Sequence, residues 1–264
     1  MISAEDVRRI ARKEKLPAGV VEKDYALTWL LRGFYLGSSG LDDVLVLKGG
    51  TAIRKVYFPQ TWRFSEDLDF TVAKTVESQN MRDFMLRVFE TLLRESGMRY
   101  SFESFHLTVG SIMANVQFVG PLSFTNRIRV DVSLNERMVL EPERRLVGTG
   151  YSDLVEFRVL VYSLDEILAE KIRSIMQRGY SRDYYDVWRL LKEAQFKDSE
   201  IREALKRKCE LNGIRYEPDL LFSERRLGEA RGFWEKGLLH LTRELPKFDV
   251  IVSDLKERLS YLRV

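Results

Sequence analysis

Lys48-Gly49-Gly50-Thr51, followed by Asp67-Leu68-Asp69-Phe70-Thr71-Val72, is the stretch on which the reading of this chain turns. Side chains on a β-strand alternate between two faces. Over 67–72 that puts Leu68, Phe70 and Val72 on one face and Asp67, Asp69 and Thr71 on the other. The two carboxylates then point the same way, roughly 7 Å apart along the strand. Like charges so placed repel unless water, a base or a cation lies between them, and hard oxygen ligands suit Mg²⁺ or Mn²⁺. Upstream, Val44-Leu45-Val46-Leu47 is a short apolar run and reads as a buried strand. The glycines after it let backbone N–H groups approach a phosphate, and a helix expected over 52–57 favours an anion at its start. Pro59 ends that helix.

A third carboxylate stands in a similar setting. In Arg127-Ile128-Arg129-Val130-Asp131-Val132-Ser133, the apolar residues Ile128, Val130 and Val132 share one face and Asp131 shares the other with Arg129. If this strand lies beside the first, three aspartates meet on one sheet face, the donor set of a metal site for phosphoryl-transfer chemistry. Each part has a bland reading. A lone Asp-x-Asp on an amphipathic strand commonly faces water, and a Gly-Gly pair is commonly a tight turn. The ordered combination is more specific than either.

Outward from this stretch the pattern alternates. Ser3, with Asp6 three positions on, is an N-cap pattern ahead of Val7, Ile10 and Ala11. Pro17 and Gly19 break that helix, and a second starts near Val20 and ends at Gly33 or Gly37. Residues 78–96 carry Met81, Phe84, Met85, Val88, Phe89, Leu92 and Leu93 at helical spacing, with Gly97 as the C′ residue. Strands are expected over 100–109, 111–119, 127–133 and 155–162. From Ser163 the character turns helical. Ser163 and Glu166 read as a capping box, the helix over 164–178 stops at Gly179, and more follow over 182–194, 198–209, 224–244 and 249–262. The fold class is therefore α+β: a mixed sheet with flanking helices in residues 1–162, then a helical domain in residues 163–264.

Composition narrows the function. The 264 residues contain no apolar run long enough to span a membrane. The charged N-terminus has no apolar core of a secretory signal. The single Cys209 excludes an intramolecular disulfide and a cysteine zinc site, and two histidines, His106 and His240, exclude a His-rich metal site. The cytoplasm is the expected compartment, with no membrane partner. With 43 Lys and Arg against 40 Asp and Glu, evenly spread, RNA binding must come from a local basic cleft, not a global field.

These motifs resemble those of the nucleotidyltransferase superfamily that shares the DNA polymerase β fold. More narrowly, the chain is similar to the AbiEii/AbiGii toxin family of type IV toxin–antitoxin systems. The matching stretches are Glu22-Lys23-Asp24-Tyr25, Lys48-Gly49-Gly50-Thr51-Ala52, Arg63-Phe64-Ser65-Glu66-Asp67-Leu68-Asp69-Phe70, Val130-Asp131-Val132-Ser133, Glu170-Lys171-Ile172-Arg173 and Arg182-Asp183-Tyr184-Tyr185-Asp186-Val187. The resemblance implies transfer of a nucleoside monophosphate from an NTP, with release of pyrophosphate. Lys48, Gly49, Gly50 and Thr51 would hold the nucleotide, and Asp67, Asp69 and Asp131 would bind Mg²⁺ or Mn²⁺. Asp131 would also activate the acceptor hydroxyl, and Lys171 and Asp186 match the functional Lys and Asp of the later motifs. It also implies a toxin of a toxin–antitoxin or phage-defence system, an RNA acceptor such as a tRNA 3′ end, and an antitoxin protein as partner. A small-molecule or protein acceptor, or a non-catalytic binding module on the same fold, are the alternatives.

The remaining residues read two ways. Lys171 lies on the apolar stripe of its helix, where it either snorkels or reaches a phosphate. Asp183 suits the first turn of its helix as an acid facing the dipole, and Asp186, one turn on, has an acid–base or lysine-orienting role. Arg63 contacts the triphosphate or is solvated. Ser65, two before Asp67, shares its strand face and meets a phosphate, or belongs to a turn. His106 reads as an ordinary strand residue. Lys206-Arg207-Lys208 reads as a solvated face or an RNA-backbone contact.

Overall fold

The computed structural model describes residues 1–36, 41–74 and 78–263, the last span without the side chains of residues 78 and 79. The chain divides into two units: Met1–Glu136 with Pro142–Tyr162, and Arg137–Glu141 with Ser163–Val264. The expected division at residue 162 is thus crossed by a five-residue strap, which groups with the helical unit.

The first unit starts with α1 (Ala4–Glu14), where Ser3 and Asp6 form a complete capping box. Helix α2 (Ala18–Tyr35) follows. Gly33 lies inside α2, and the alternative end at Gly37 falls outside the described residues. Then come β1 (Leu45–Lys48), the short helix α3 (Gly49–Ala52) continuing as a π turn (Ile53–Tyr57), β2 (Asp67–Val72), α4 (Ser78–Ser96), β3 (Arg99–Leu107), β4 (Ser111–Val119), β5 (Thr125–Ser133), β6 (Glu143–Leu146) and β7 (Arg158–Val161). The strands form one mixed sheet in the order β3-β4-β5-β2-β1-β7-β6. Strand β5 runs parallel to β2, and β7 runs parallel to β1; the other neighbours are antiparallel. Strand β6 was not foreseen: its sequence, Glu-Arg-Arg-Leu, has no apolar alternation, because it is a mostly exposed edge strand.

One sheet face is apolar throughout. Leu68, Phe70, Ile112, Ala114, Val116, Phe118, Ile128, Val130 and Val132 are buried there. Helices α2 and α4 cover it: Phe34 of α2 meets Phe70 edge-on at 5.6 Å and Phe84 of α4 at 5.7 Å. Tyr100 donates its hydroxyl to Ala26 O at 2.8 Å.

A buried carboxylate on α2 joins several of these pieces. Asp24 pairs with Arg54 Nε at 3.1 Å and Lys55 Nζ at 2.6 Å, both from the π turn, and accepts from the Tyr151 hydroxyl at 2.7 Å. Burial alone would raise its pKa; Lys55 and Arg54 outweigh burial and hold it below the usual carboxylate value. Lys55, pressed down by its own burial and by Arg54 despite Asp24, falls to about 8.

The helical unit contains α5 (Leu164–Arg178), α6 (Ser181–Glu193), α7 (Asp198–Leu211), a 3₁₀ turn (Pro218–Phe222), α8 (Glu224–Gly232), α9 (Trp234–Leu238), α10 (Phe248–Arg258) and a last 3₁₀ turn (Ser260–Arg263). The expected helix over 224–244 is broken at Phe233. Three glycines, 228, 232 and 237, lower its helix propensity. Trp234 instead packs on Phe248 at 4.9 Å and donates to Pro246 O.

The capping box at Ser163 is only half formed. Ser163 Oγ accepts from Glu166 N at 3.2 Å. The Glu166 carboxylate accepts from Val139 N and Leu140 N of the strap, both at 3.1 Å, and pairs with Lys208 Nζ at 2.7 Å. Lys206 and Arg207 are exposed, but Lys208 is fully buried, so the run Lys206-Arg207-Lys208 is not a uniformly solvated face.

Two stability experiments follow from these buried charges. Lys208→Met strands Glu166 and should cost roughly 3–5 kcal/mol, whereas Lys206→Met should stay within about 0.5 kcal/mol, both read from urea unfolding. The lowered pKa of Asp24 stabilises the fold above the ordinary aspartate value of 3.8 and is lost as pH falls through the folded value. Asp24→Asn should therefore lower stability at neutral pH and flatten the acid limb of a stability–pH profile.

Candidate active site

Strand register, more than any loop, assembles the site. In the β1–β2 and β2–β5 pairs, Lys48 stands opposite Asp69 and Asp69 opposite Asp131. Asp67 stands opposite Arg129 one row away. Opposed residues share a sheet face, so Asp67, Asp69 and Asp131 lie together on the face turned away from α2 and α4. Asp67, Asp69 and Asp131 are each half-buried. Arg129 Nε donates to Asp131 Oδ2 at 2.8 Å, while Asp131 Oδ1 is buried with no hydrogen-bond partner. Arg129 is held above the ordinary arginine pKa first by its hydrogen bond to Asp131; burial opposes this, and the charges of Asp131, Asp67 and Asp69 add to it.

The glycines are required by close approach. Gly49 has φ +70°, and a Cβ there would stand 2.7 Å from Asp69 Oδ2. A Cβ on Gly50 would stand 2.8 Å from Arg63 Nη2 and 3.3 Å from Ser65 Oγ. The turn therefore lies directly against the aspartate and against the loop that carries Arg63 and Ser65. Arg63 is buried, which removes the solvated alternative, and donates to Phe64 O at 3.0 Å. Ser65 is buried in the loop, because β2 begins only at Asp67. Thr51 donates its hydroxyl to Asp67 O at 2.5 Å, so its side chain clips α3 to β2. Lys48 is buried and pairs with Glu136.

Arg54 connects this loop to Asp24. Its guanidinium lies over the Phe64 ring at 3.5 Å and donates to Trp62 O at 2.6 Å. Sequence reasoning gave Asp24, Arg54, Lys55 and Glu136 no site role. The signal for Asp24 was present, since an acid among the apolar residues of α2 poses the same question as Lys171. Glu136 follows β5 in a polar loop, with nothing local to single it out.

The later motifs form a cluster within the helical unit. Lys171 Nζ of α5 lies 2.8 Å from Asp183 Oδ1 and 3.0 Å from Asp186 Oδ2 of α6, and both aspartates are buried. Arg178 reaches Asp183 at 3.4 Å. The apolar stripe around Lys171 therefore encloses an ion cluster, which snorkelling alone does not describe. Asp183 does more than face a helix dipole. His106 is exposed on β3.

Among the described residues, no three His, Cys, Asp or Glu side chains converge to cage a metal on their own. Mg²⁺ is commonly held by one or two carboxylates, with phosphates and water completing its shell. Asp131 Oδ1, an orphaned buried acceptor beside Asp69, fits such a cation.

This mixed sheet, bearing aspartates beside a Gly-Gly turn with helices after it, is a fold shared with a nucleotidyltransferase toxin. The structure is similar to that of MenT4, a nucleotidyltransferase toxin from Mycobacterium tuberculosis H37Rv. The two are 20% identical, with a TM-score of 0.73 over 100% of this chain and 90% of that one. The model of the family described as nucleotidyl transferase AbiEii toxin, type IV toxin–antitoxin system, matches residues 29–254, and the chain belongs to that family. It is a nucleotidyltransferase toxin of this type. No curated protein matches it.

The ion cluster sets an expectation for Lys171→Ala. Removing the ammonium strands two buried carboxylates, so stability should fall by roughly 3–5 kcal/mol in urea unfolding, and Lys171→Met should not restore it. Snorkelling alone predicts a loss near 0.5–1 kcal/mol that methionine largely recovers.

Proposed function

We propose that the protein transfers a nucleoside monophosphate from an NTP to an RNA acceptor, such as a tRNA 3′ end, with Mg²⁺ or Mn²⁺. The observation that carries this reading is the orphaned, buried Oδ1 of Asp131 beside Asp69 on one row of the sheet. Asp67, Asp69 and Asp131 are the residues from which one or two carboxylates would hold the cation, with phosphates and water completing its shell. When bound, it supplies positive charge that offsets the charge developing on the transferred phosphate. The acceptor oxygen bonds to the α-phosphorus, the α–β phosphoanhydride breaks, and pyrophosphate leaves. Asp131 takes the proton of the acceptor hydroxyl.

The backbone of Gly49 and Gly50, with Lys48 and Thr51, holds the triphosphate in this proposal. Arg63 and Ser65 are already gathered against Gly50 and flank it. Glu136 and Asp24 position this set, the first through Lys48 and the second through Arg54. For Lys171 and Asp186, support comes from the family motifs, and Asp186 orients the lysine. An antitoxin is the protein partner, and the cytoplasm, where NTPs and RNA are found, is the compartment. No described helix is long and apolar enough to cross a membrane.

Incubation of the protein with each labelled NTP, Mg²⁺ and total RNA tests the proposal. Label should enter RNA with one or a few NTPs and disappear with chelator. Asp67→Asn, Asp69→Asn and Asp131→Asn should each lose at least about a hundredfold in turnover while melting near the wild-type temperature. Retention of more than about a tenth of the activity, a loss under ~1.4 kcal/mol, would overturn the metal assignment for that residue.

A further inference from the structure

The face that carries the aspartates does not end at Asp131. Strands β5, β4 and β3 extend it sideways, with one bulge in β3 at Glu103. Asp131 stands opposite Met113, which stands opposite His106. The next rows are Arg129–Asn115–Ser104, Arg127–Gln117–Ser101 and Thr125–Val119–Arg99. The buried residues of these strands lie on the other face, so this one is open to solvent over three strands. The side chains of Arg127 and Arg129 are 66% and 54% exposed, and Arg99 is exposed too. At the far end, in the turn before β5, Phe124 is 74% exposed.

We propose that this face is the bed for the acceptor strand, a single-stranded polynucleotide running from Asp131 past Arg129 and Arg127 toward Phe124. The inference rests on the nucleotidyltransfer-to-RNA reading and adds to it where the acceptor lies. Charge complementarity carries it. The protein as a whole is nearly neutral, with 43 basic and 40 acidic residues, so no global field gathers a polyanion. Over β3, β4 and β5 this face carries three guanidinium groups, Arg99, Arg127 and Arg129, against two carboxylates, Glu103 and Asp131, and Asp131 sits at the reacting end. Glu103 pairs with Arg127 at 3.4 Å and accepts from Gln117 at 3.5 Å. All three cations are arginines, which bind phosphate through a planar fork.

The chemistry of the remaining groups fits the same ligand. Asn115 donates to Ser104 Oγ at 2.9 Å, and with Gln117 it lines the centre with amides that can pair with base edges or 2′-hydroxyls. Phe124 offers a bare ring for an unstacked base, and base–aromatic stacking contributes about 1–3 kcal/mol per base. Strand rise places Phe124 roughly 24 Å from Asp131, room for several nucleotides. The polarity also matches. The acidic end takes the reacting hydroxyl, and the basic end takes the chain behind it.

The test uses the full-length protein, a labelled NTP, Mg²⁺ and a tRNA transcript. Arg127→Glu, Arg99→Glu and Phe124→Ala are surface changes and should leave thermal stability, kcat and the KM for NTP within about twofold. The KM for RNA should rise at least tenfold for each arginine change and severalfold for Phe124→Ala. In Arg127→Glu, the dependence of that KM on salt should become shallower. Glu103→Gln should move the RNA KM downward. An RNA KM unchanged within twofold in all four variants, with RNA labelled by wild type, overturns the bed while leaving the RNA reading intact. If the wild-type protein labels a protein or small molecule and never RNA, both fall together.

Discussion

The carboxylate of Asp24 is the constraint on which the first unit depends. A charge buried to this degree is tolerated only with near-complete pairing. Here Arg54, Lys55 and Tyr151 provide it, from the π turn and from the segment before β7. Neighbours in sequence do not share a helix face, yet Arg54 and Lys55 both reach this one group. Arg54 then has two tasks, since the guanidinium that answers Asp24 also lies on Phe64 and caps Trp62 O. The loop bearing Arg63 and Ser65 is therefore set by an electrostatic requirement inside the first unit.

Register is the second constraint. A slip of one residue between β2 and β5 would send Asp131 into the apolar core and expose Val130 or Val132. The apolar face against α2 and α4 thus fixes the polar face as well. Fold stability and the gathering of the aspartates share one cause, the alternation of these strands. Crowding at Gly49 and Gly50 adds to it, because the turn closes onto Asp69 and Arg63 with no room for a Cβ.

What could be read from the sequence was what is local and periodic. Strand β2 and helices α4 and α5 fall at their expected bounds, because each carries a strong period and a clear start or stop. The facing of Asp67, Asp69 and Asp131 followed from the same alternation. Long-range pairing left less trace. Glu166 looked like half of a capping box, but its carboxylate serves a strap and a lysine 42 positions away. Lys208 looked like one of three solvated bases. For Lys171 the sequence offered snorkelling, a phosphate contact or an orienting Asp186, whereas the pairing of Asp183 with the same ammonium had no signal. Polar residues buried by distant partners carry no period, so sequence patterns place them on the surface. Edge strand β6 was missed for the opposite reason: exposed on both sides, it needs no apolar alternation.

The strap Arg137–Glu141 has a consequence for how the chain can be divided. The backbone passes from one unit to the other three times, after Glu136, after Glu141 and after Tyr162. No single cut yields both units whole. A fragment ending at residue 162 keeps the strap but loses Glu166, and one starting at 163 keeps Glu166 and Lys208 but loses the two amides that donate to Glu166. During synthesis the strap leaves the ribosome before Glu166, so its two amides, Val139 N and Leu140 N, emerge ahead of the carboxylate that accepts from them. A transplant of the helical unit alone would therefore have to carry five residues that are encoded inside the first segment.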